Sequence, residues 1–180
     1  MRKIVSLILL VIACTTVRGQ LYSTASGEIS FHSHTFLEDI DAVNKNVSAI
    51  IDPLKKNIAF TMKIKGFEFK RKLMQEHFNE NYLESDKYPV STFTGSYSGE
   101  MIADKEGAYP VIVKGNLTIH GVAKPVVIPG TLTVKNGSIT AISSFKLNPA
   151  DYNISVPFIV RDKIEKENTV NVHIEFKPTK

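Results

Sequence analysis

GNLTIHGVAKPVVIPGTL, residues 115–132, decides how the rest of the chain is read. Leu117 and Ile119 alternate with polar neighbours at the period of two that marks a half-buried strand. His120 and Gly121 then interrupt, Pro125 follows, and alternation resumes through Leu132 and Val134. Two strands flank a histidine, so the ring is either held on a turn for chemistry or is part of the bend itself.

Working outward, the same period governs most of the chain. Ile29, Phe31 and Ser33 share a face, as do Val47, Ala49 and Ile51. Ile58, Phe60, Met62 and Ile64 alternate with Ala59, Thr61, Lys63 and Lys65 after a DPLKKN turn. Phe93 and Tyr97 mark another strand, and Val111 and Val113 begin the one that runs into Leu117 and Ile119. Asn136-Gly137 is a strong hairpin signal, because both central positions of that turn need positive φ. It leads to Ile139, Ala141, Phe145 and Leu147, and a last strand sets Val170, Val172, Ile174 and Phe176 against Asn171, His173 and Glu175.

One stretch breaks the alternation. In KRKLMQEHFNENYLES, Met74, Phe78 and Tyr82 recur at intervals of four among helix formers, which predicts a helix or two short turns ended by Pro89. A second short helix is expected within VPFIVRDKIEKEN. The fold class is therefore all-β, with about eight mostly antiparallel strands and one or two short helices. Closure into a barrel removes the sheet edges that invite aggregation, and eight strands enclose side chains or one small ligand.

The N-terminus reads as an address. MRK, the apolar run IVSLILLVIA, and Val17 and Gly19 at peptidase spacing predict a signal peptide over residues 1–19, cut after Gly19, with one domain over 20–180. The run is shorter than the roughly 20 residues of a membrane span. Cleavage removes Arg2, Lys3 and Arg18, leaving 19 basic against 18 acidic residues, so nucleic acid has little electrostatic support. Cys14, the only cysteine, lies inside this segment, and VIAC offers a lipidated N-terminus as the alternative. The expected location is periplasmic or secreted.

With NENYLESDKYPVSTFTG and FKLNPADYNISVP, residues 115–132 resemble the YceI-like family of secreted bacterial lipid-binding proteins, in order and spacing from Gly27 to Phe176. The resemblance implies an antiparallel lipocalin-like barrel that holds a long apolar molecule such as a polyisoprenoid, fatty acid or fatty amide. It also implies a hairpin at His120-Gly121. Two departures stand out: Asp151-Tyr152-Asn153 replaces a turn that usually ends in Gly, and Lys146-Leu147-Asn148 stands where many members have an Arg.

Candidate ligand-contacting residues are Phe31, Phe60, Met62, Phe67, Phe69, Met74, Phe78, Phe93, Tyr97, Ile119, Phe145 and Phe158, on strand faces or the helix stripe. Each methylene moved from water into an apolar lumen gains about 0.8 kcal/mol. The rival readings are an enzyme acting on such a lipid through His120 or His173, and a filled barrel that presents only a surface to an envelope partner. His32 and His34 share a strand face but lack the third ligand usual for catalytic zinc. With no phosphate loop, nucleophile elbow or paired cysteines, no catalytic residue, metal or cofactor is expected; oligomerisation stays open.

Overall fold

The computed structural model describes residues 20–34, 39–155 and 167–179. The expected signal peptide, Phe158 and the second helix lie outside the described residues.

Eight long strands alternate around a closed antiparallel barrel: β1 (Tyr22–Ser33), β2 (Ile40–Asp52), β3 (Asn57–Lys63), β5 (Val90–Ser98), β6 (Gly107–Ile119), β7 (Val122–Lys135), β8 (Ser138–Leu147) and β9 (Asn168–Pro178). A two-residue strand, β4 (Glu68–Phe69), continues the line of β3 along β2 after a single 3₁₀ turn. The neighbours run β1-β9-β8-β7-β6-β5-β3-β2, and pairing of β1 with β2 closes the ring. The polypeptide between β4 and β5 forms α1 (Lys72–His77) and a π-helical turn at Phe78–Tyr82. This places Met74, Phe78 and Tyr82 as the stripe predicted.

Both tight hairpins have two-residue turns. Asn136 and Gly137 have φ of 50° and 72°, and His120 and Gly121 have 51° and 74°. Such mirror-image turns match the right-handed twist of the strands they join. His120 is thus part of the bend, directly between Ile119 and its partner Val122. The Asp151-Tyr152-Asn153 turn also holds, because Asn153 takes the left-handed conformation at φ 56° that Asn tolerates.

The inward faces divide the barrel into two halves. At one end Tyr22, Ile51, Tyr97, Val134, Ile139 and Phe176 pack into a solid core. Towards the other end Ile64, Leu83, Phe93, Leu117, Tyr152 and Ile154 form a second cluster, roofed by α1 and the segment after β8. Tyr97 requires a correction. It shares the inward face of Phe93 but lies four residues nearer the solid end, where its ring is buried in core and is not part of the lining of the lumen cavity.

Candidate functional site

Between the solid end and the roof lies an apolar cavity of about 1030 Å³. That is the upper end of the range, about 300–1,000 Å³, typical of small-molecule sites. The lumen is not filled from end to end, contrary to the filled-barrel alternative.

Alternation builds its walls. Ile29 and Phe31 come from β1, Ile58, Phe60 and Met62 from β3, Phe93 from β5, and Val111, Val113, Leu117 and Ile119 from β6. Phe145 and Leu147 come from β8, and Val170, Val172 and Ile174 from β9. Ten of the twelve candidate residues line this one space: Phe31, Phe60, Met62, Phe67, Phe69, Met74, Phe78, Phe93, Ile119 and Phe145.

The aromatic rings are ordered by one another. Phe31 stacks on Phe78 at 5.6 Å between centroids and meets Phe67 edge-on at 5.5 Å, and Phe69 lies 4.9 Å from Phe78. Across the lumen wall Phe60 stacks on its strand partner Phe93 at 5.5 Å. Offset and edge-on pairs of this kind add about 0.5–1.5 kcal/mol beyond area burial, so the walls are rigid apolar surfaces.

Polar side chains are a minority of the cavity wall, Arg71, His77, Asn148 and Asn153 among them. Ser91 donates its hydroxyl to Thr118 O at 2.8 Å. Ser33 Oγ and Asn168 Oδ1 are buried with no hydrogen-bond partner among the described residues, and both residues line the cavity. Burying a polar atom unpaired costs roughly 1–3 kcal/mol. This pair and the aliphatic wall positions Val113, Val170 and Val172 are absent from the sequence-derived set. Strand parity marks the valines and also Ser33, which shares the face of Ile29 and Phe31; nothing local marks Asn168, which comes beside Ser33 only where β1 runs along β9.

Of the histidines, His77 at the end of α1 lines the cavity, and the other four do not. His120 is buried outside it, with Nδ1–H donating to Tyr152 O at 3.2 Å and Nε2 2.8 Å from Glu84 Oε2. Tyr88 lies edge-on against the ring at 4.3 Å. His32 is half-buried and His34 exposed, and each pairs with its own carboxylate, Asp41 at 2.8 Å and Asp39 at 2.6 Å. His173 is exposed on the outer face of β9. Among the described residues, no three His, Cys, Asp or Glu side chains gather to hold a metal ion. No described helix is long and apolar enough to cross a membrane.

The family model for the YceI-like domain matches residues 12–176. The chain belongs to the YceI-like family. Three solved structures share the YceI-like architecture across most of its length. A polyisoprenoid-binding domain from Saccharophagus degradans is 13% identical with a TM-score of 0.76, covering 90% of this chain and all of that one, 100%. BcnA of Burkholderia cenocepacia is 20% identical with a TM-score of 0.70, covering 83% and 95%. The Campylobacter jejuni YceI protein is 24% identical with a TM-score of 0.61, covering 82% and 89%. No curated protein matches the chain. At these identities the structural likeness establishes the fold, and with the family it supports a lipid-binding barrel.

Proposed function

We propose that this protein is an exported carrier that holds one long apolar molecule, of polyisoprenoid, fatty-acid or fatty-amide type, inside its barrel without covalent chemistry. The observation that carries the reading is the cavity of about 1030 Å³ walled by aromatic and aliphatic side chains. Ten ordered methylenes would contribute about 8 kcal/mol at roughly 0.8 kcal/mol each. That is within the cost of association, about 4–15 kcal/mol, before any ring contacts are added.

The polar end of the ligand belongs beside Ser33 and Asn168. An amide oxygen with no donor favours a head that donates a hydrogen bond, and a serine hydroxyl can accept or donate in return. An alcohol or amide head satisfies both atoms; a carboxylate satisfies only the serine.

Native mass spectrometry of freshly purified protein, with extraction of whatever dissociates, is the decisive experiment. The expected result is one apolar molecule per chain, and exchange of that molecule for added isoprenoid or fatty-amide probes. Protein that is empty and takes up neither class overturns the reading. Export has its own measurement: N-terminal sequencing of the processed chain should begin at Gln20, or, on the lipidated alternative, be blocked at Cys14.

A further inference from the structure

β7 and β8 part company halfway along. Their ladder runs only from Lys135↔Ser138 to Thr131↔Ile142. On either side the ladders continue: β6–β7 reaches Ile119↔Val122, and β8–β9 reaches Leu147↔Asn168. Val122–Gly130 of β7 therefore faces Ser143–Leu147 of β8 with no ladder pairing between them. Among the described residues one side-chain hydrogen bond spans the gap, from Ser143 Oγ to Pro129 O at 2.7 Å.

The sequence of β7 is built for this edge. Pro125 and Pro129 sit opposite Asn116 and Ile112, positions of one parity on β6. Since the β6 ladder is intact there, the proline nitrogens point towards β8. Proline is confined to strand edges because it donates nothing to a ladder. These two residues keep the edge from zipping shut.

The cavity reaches the outer surface at this point. Thr131 and Ile142 face outward by strand parity, yet they line the same space as inward-facing Ile128, Gly130 and Ser143. Outside, Ile112, Val127 and Ile142 are exposed apolar side chains around Pro129, forming a greasy lip. Beyond the gap the turn Pro149–Tyr152 folds back over the start of β7, with Tyr152 O accepting from His120 Nδ1. The gap is thus a framed seam, held at its base by the ladder and at its top by that turn.

We propose that this seam is a lateral gate through which the apolar ligand enters and leaves the lumen, with the lip of Ile112, Val127 and Ile142 receiving the chain first. The inference rests on the carrier reading above. Opening the wall elsewhere breaks a run of backbone hydrogen bonds, whereas opening it here breaks one side-chain bond and lets side chains repack.

The geometry supplies its own staple. A Cβ added at Gly130 lies 3.7 Å from Ser143 Cβ, a separation suited to a disulfide, and 3.1 Å from Ile142 O, which must give way by a few tenths of an ångström. The test is the full chain carrying Cys14→Ser, Gly130→Cys and Ser143→Cys, followed by stopped-flow uptake and release of a fluorescent polyene fatty acid. The oxidised form should take up and release the probe at least tenfold more slowly than the reduced form, with reductant restoring both rates. Ser143→Ala, which removes the latch and one oxygen from the lumen wall, should move both rates the other way by several-fold. Equal rates in oxidised and reduced protein, or an unchanged rate in Ser143→Ala, overturn the gate and direct passage to the barrel end beside α1. No uptake by the wild-type chain overturns the carrier reading, and the gate with it.

Discussion

His120 Nε2 lies 2.8 Å from Glu84 Oε2, joining a hairpin turn to a loop 36 residues earlier with one proton between them. Both residues hold positive φ, 51° at His120 and 41° at Glu84, a conformation that costs most non-glycine residues about 1–2 kcal/mol. The pair offsets that strain, and the other ring nitrogen fixes the turn that frames the seam. His120→Ala strands Tyr152 O and should cost about 1–3 kcal/mol. His120→Asn tolerates the backbone better and should cost less. Urea denaturation of the two variants beside wild type reads both values; equal stability of all three contradicts the clamp.

The ring of Phe93 also covers a backbone contact that no side chain could share. Gly95 and Gly115 face each other across β5 and β6. A Cβ at Gly115 would fall 2.4 Å from Thr94 O and 2.6 Å from Gly95 Cα, and one at Gly95 would fall 2.3 Å from Lys114 O. Those obstacles are backbone, so the strands must separate to admit even a methyl group. Gly115→Ala and Gly95→Ala should each destabilise by about 1–3 kcal/mol, the usual range for overpacking. At roughly 2–4 °C per kcal/mol for a chain of this size, a melting curve resolves the loss.

Strand parity was legible because one face of nearly every strand is buried, which forces period two on Ile58, Phe60 and Met62 or on Val170, Val172 and Ile174. It failed where the backbone itself slips. β1 begins at Tyr22, five residues before its alternation becomes visible, because register shifts around Gly27 break the period. The first half of β2 was hidden by Asn44, fully buried in a core position and paired with Lys63 O at 2.8 Å. The ten lining residues were found by face alone. Tyr97 was misplaced because depth along the barrel axis depends on strand tilt and stagger, which a linear pattern does not encode. Glu84 and His120, or Ser33 and Asn168, meet through topology, and neither partner carries a local sign of the other. The spacing of Pro125 and Pro129 did encode an open edge, but only a known ladder shows which strand it faces.

Tyr97 makes a prediction about pH. Burial, and after it the negative charge of Asp52, push its phenol up to about 12 from the ordinary 10.0. The folded state therefore keeps this proton where the unfolded chain has released it. Its contribution is intact below about pH 10 and is lost as pH climbs towards about 12. Tyr97 Oη also has no hydrogen-bond partner among the described residues. Tyr97→Phe should be at least as stable as wild type at neutral pH, since removing an unpaired buried hydroxyl costs little. It should also flatten the alkaline decline. Denaturant midpoints across the alkaline range test both statements, and a parallel decline in the two proteins sinks the second.

Val113 offers the sharpest separation of lumen from wall. It is half-buried, lines the cavity, and pairs with Tyr97 on one side and Ile128 on the other, at the floor where the solid core gives way to open space. Val113→Trp pushes a large apolar ring into that space without adding charge. Filling a void avoids the overpacking cost of about 1–3 kcal/mol that a dense core would impose. Stability should therefore fall by less than about 1 kcal/mol while occupancy by a fluorescent fatty-acid probe drops at least tenfold. Lys114→Trp, one residue on and facing outward, adds the same ring to the outer surface and should leave uptake as in wild type. If both variants bind the probe equally well, the ligand is not held against the floor of the lumen.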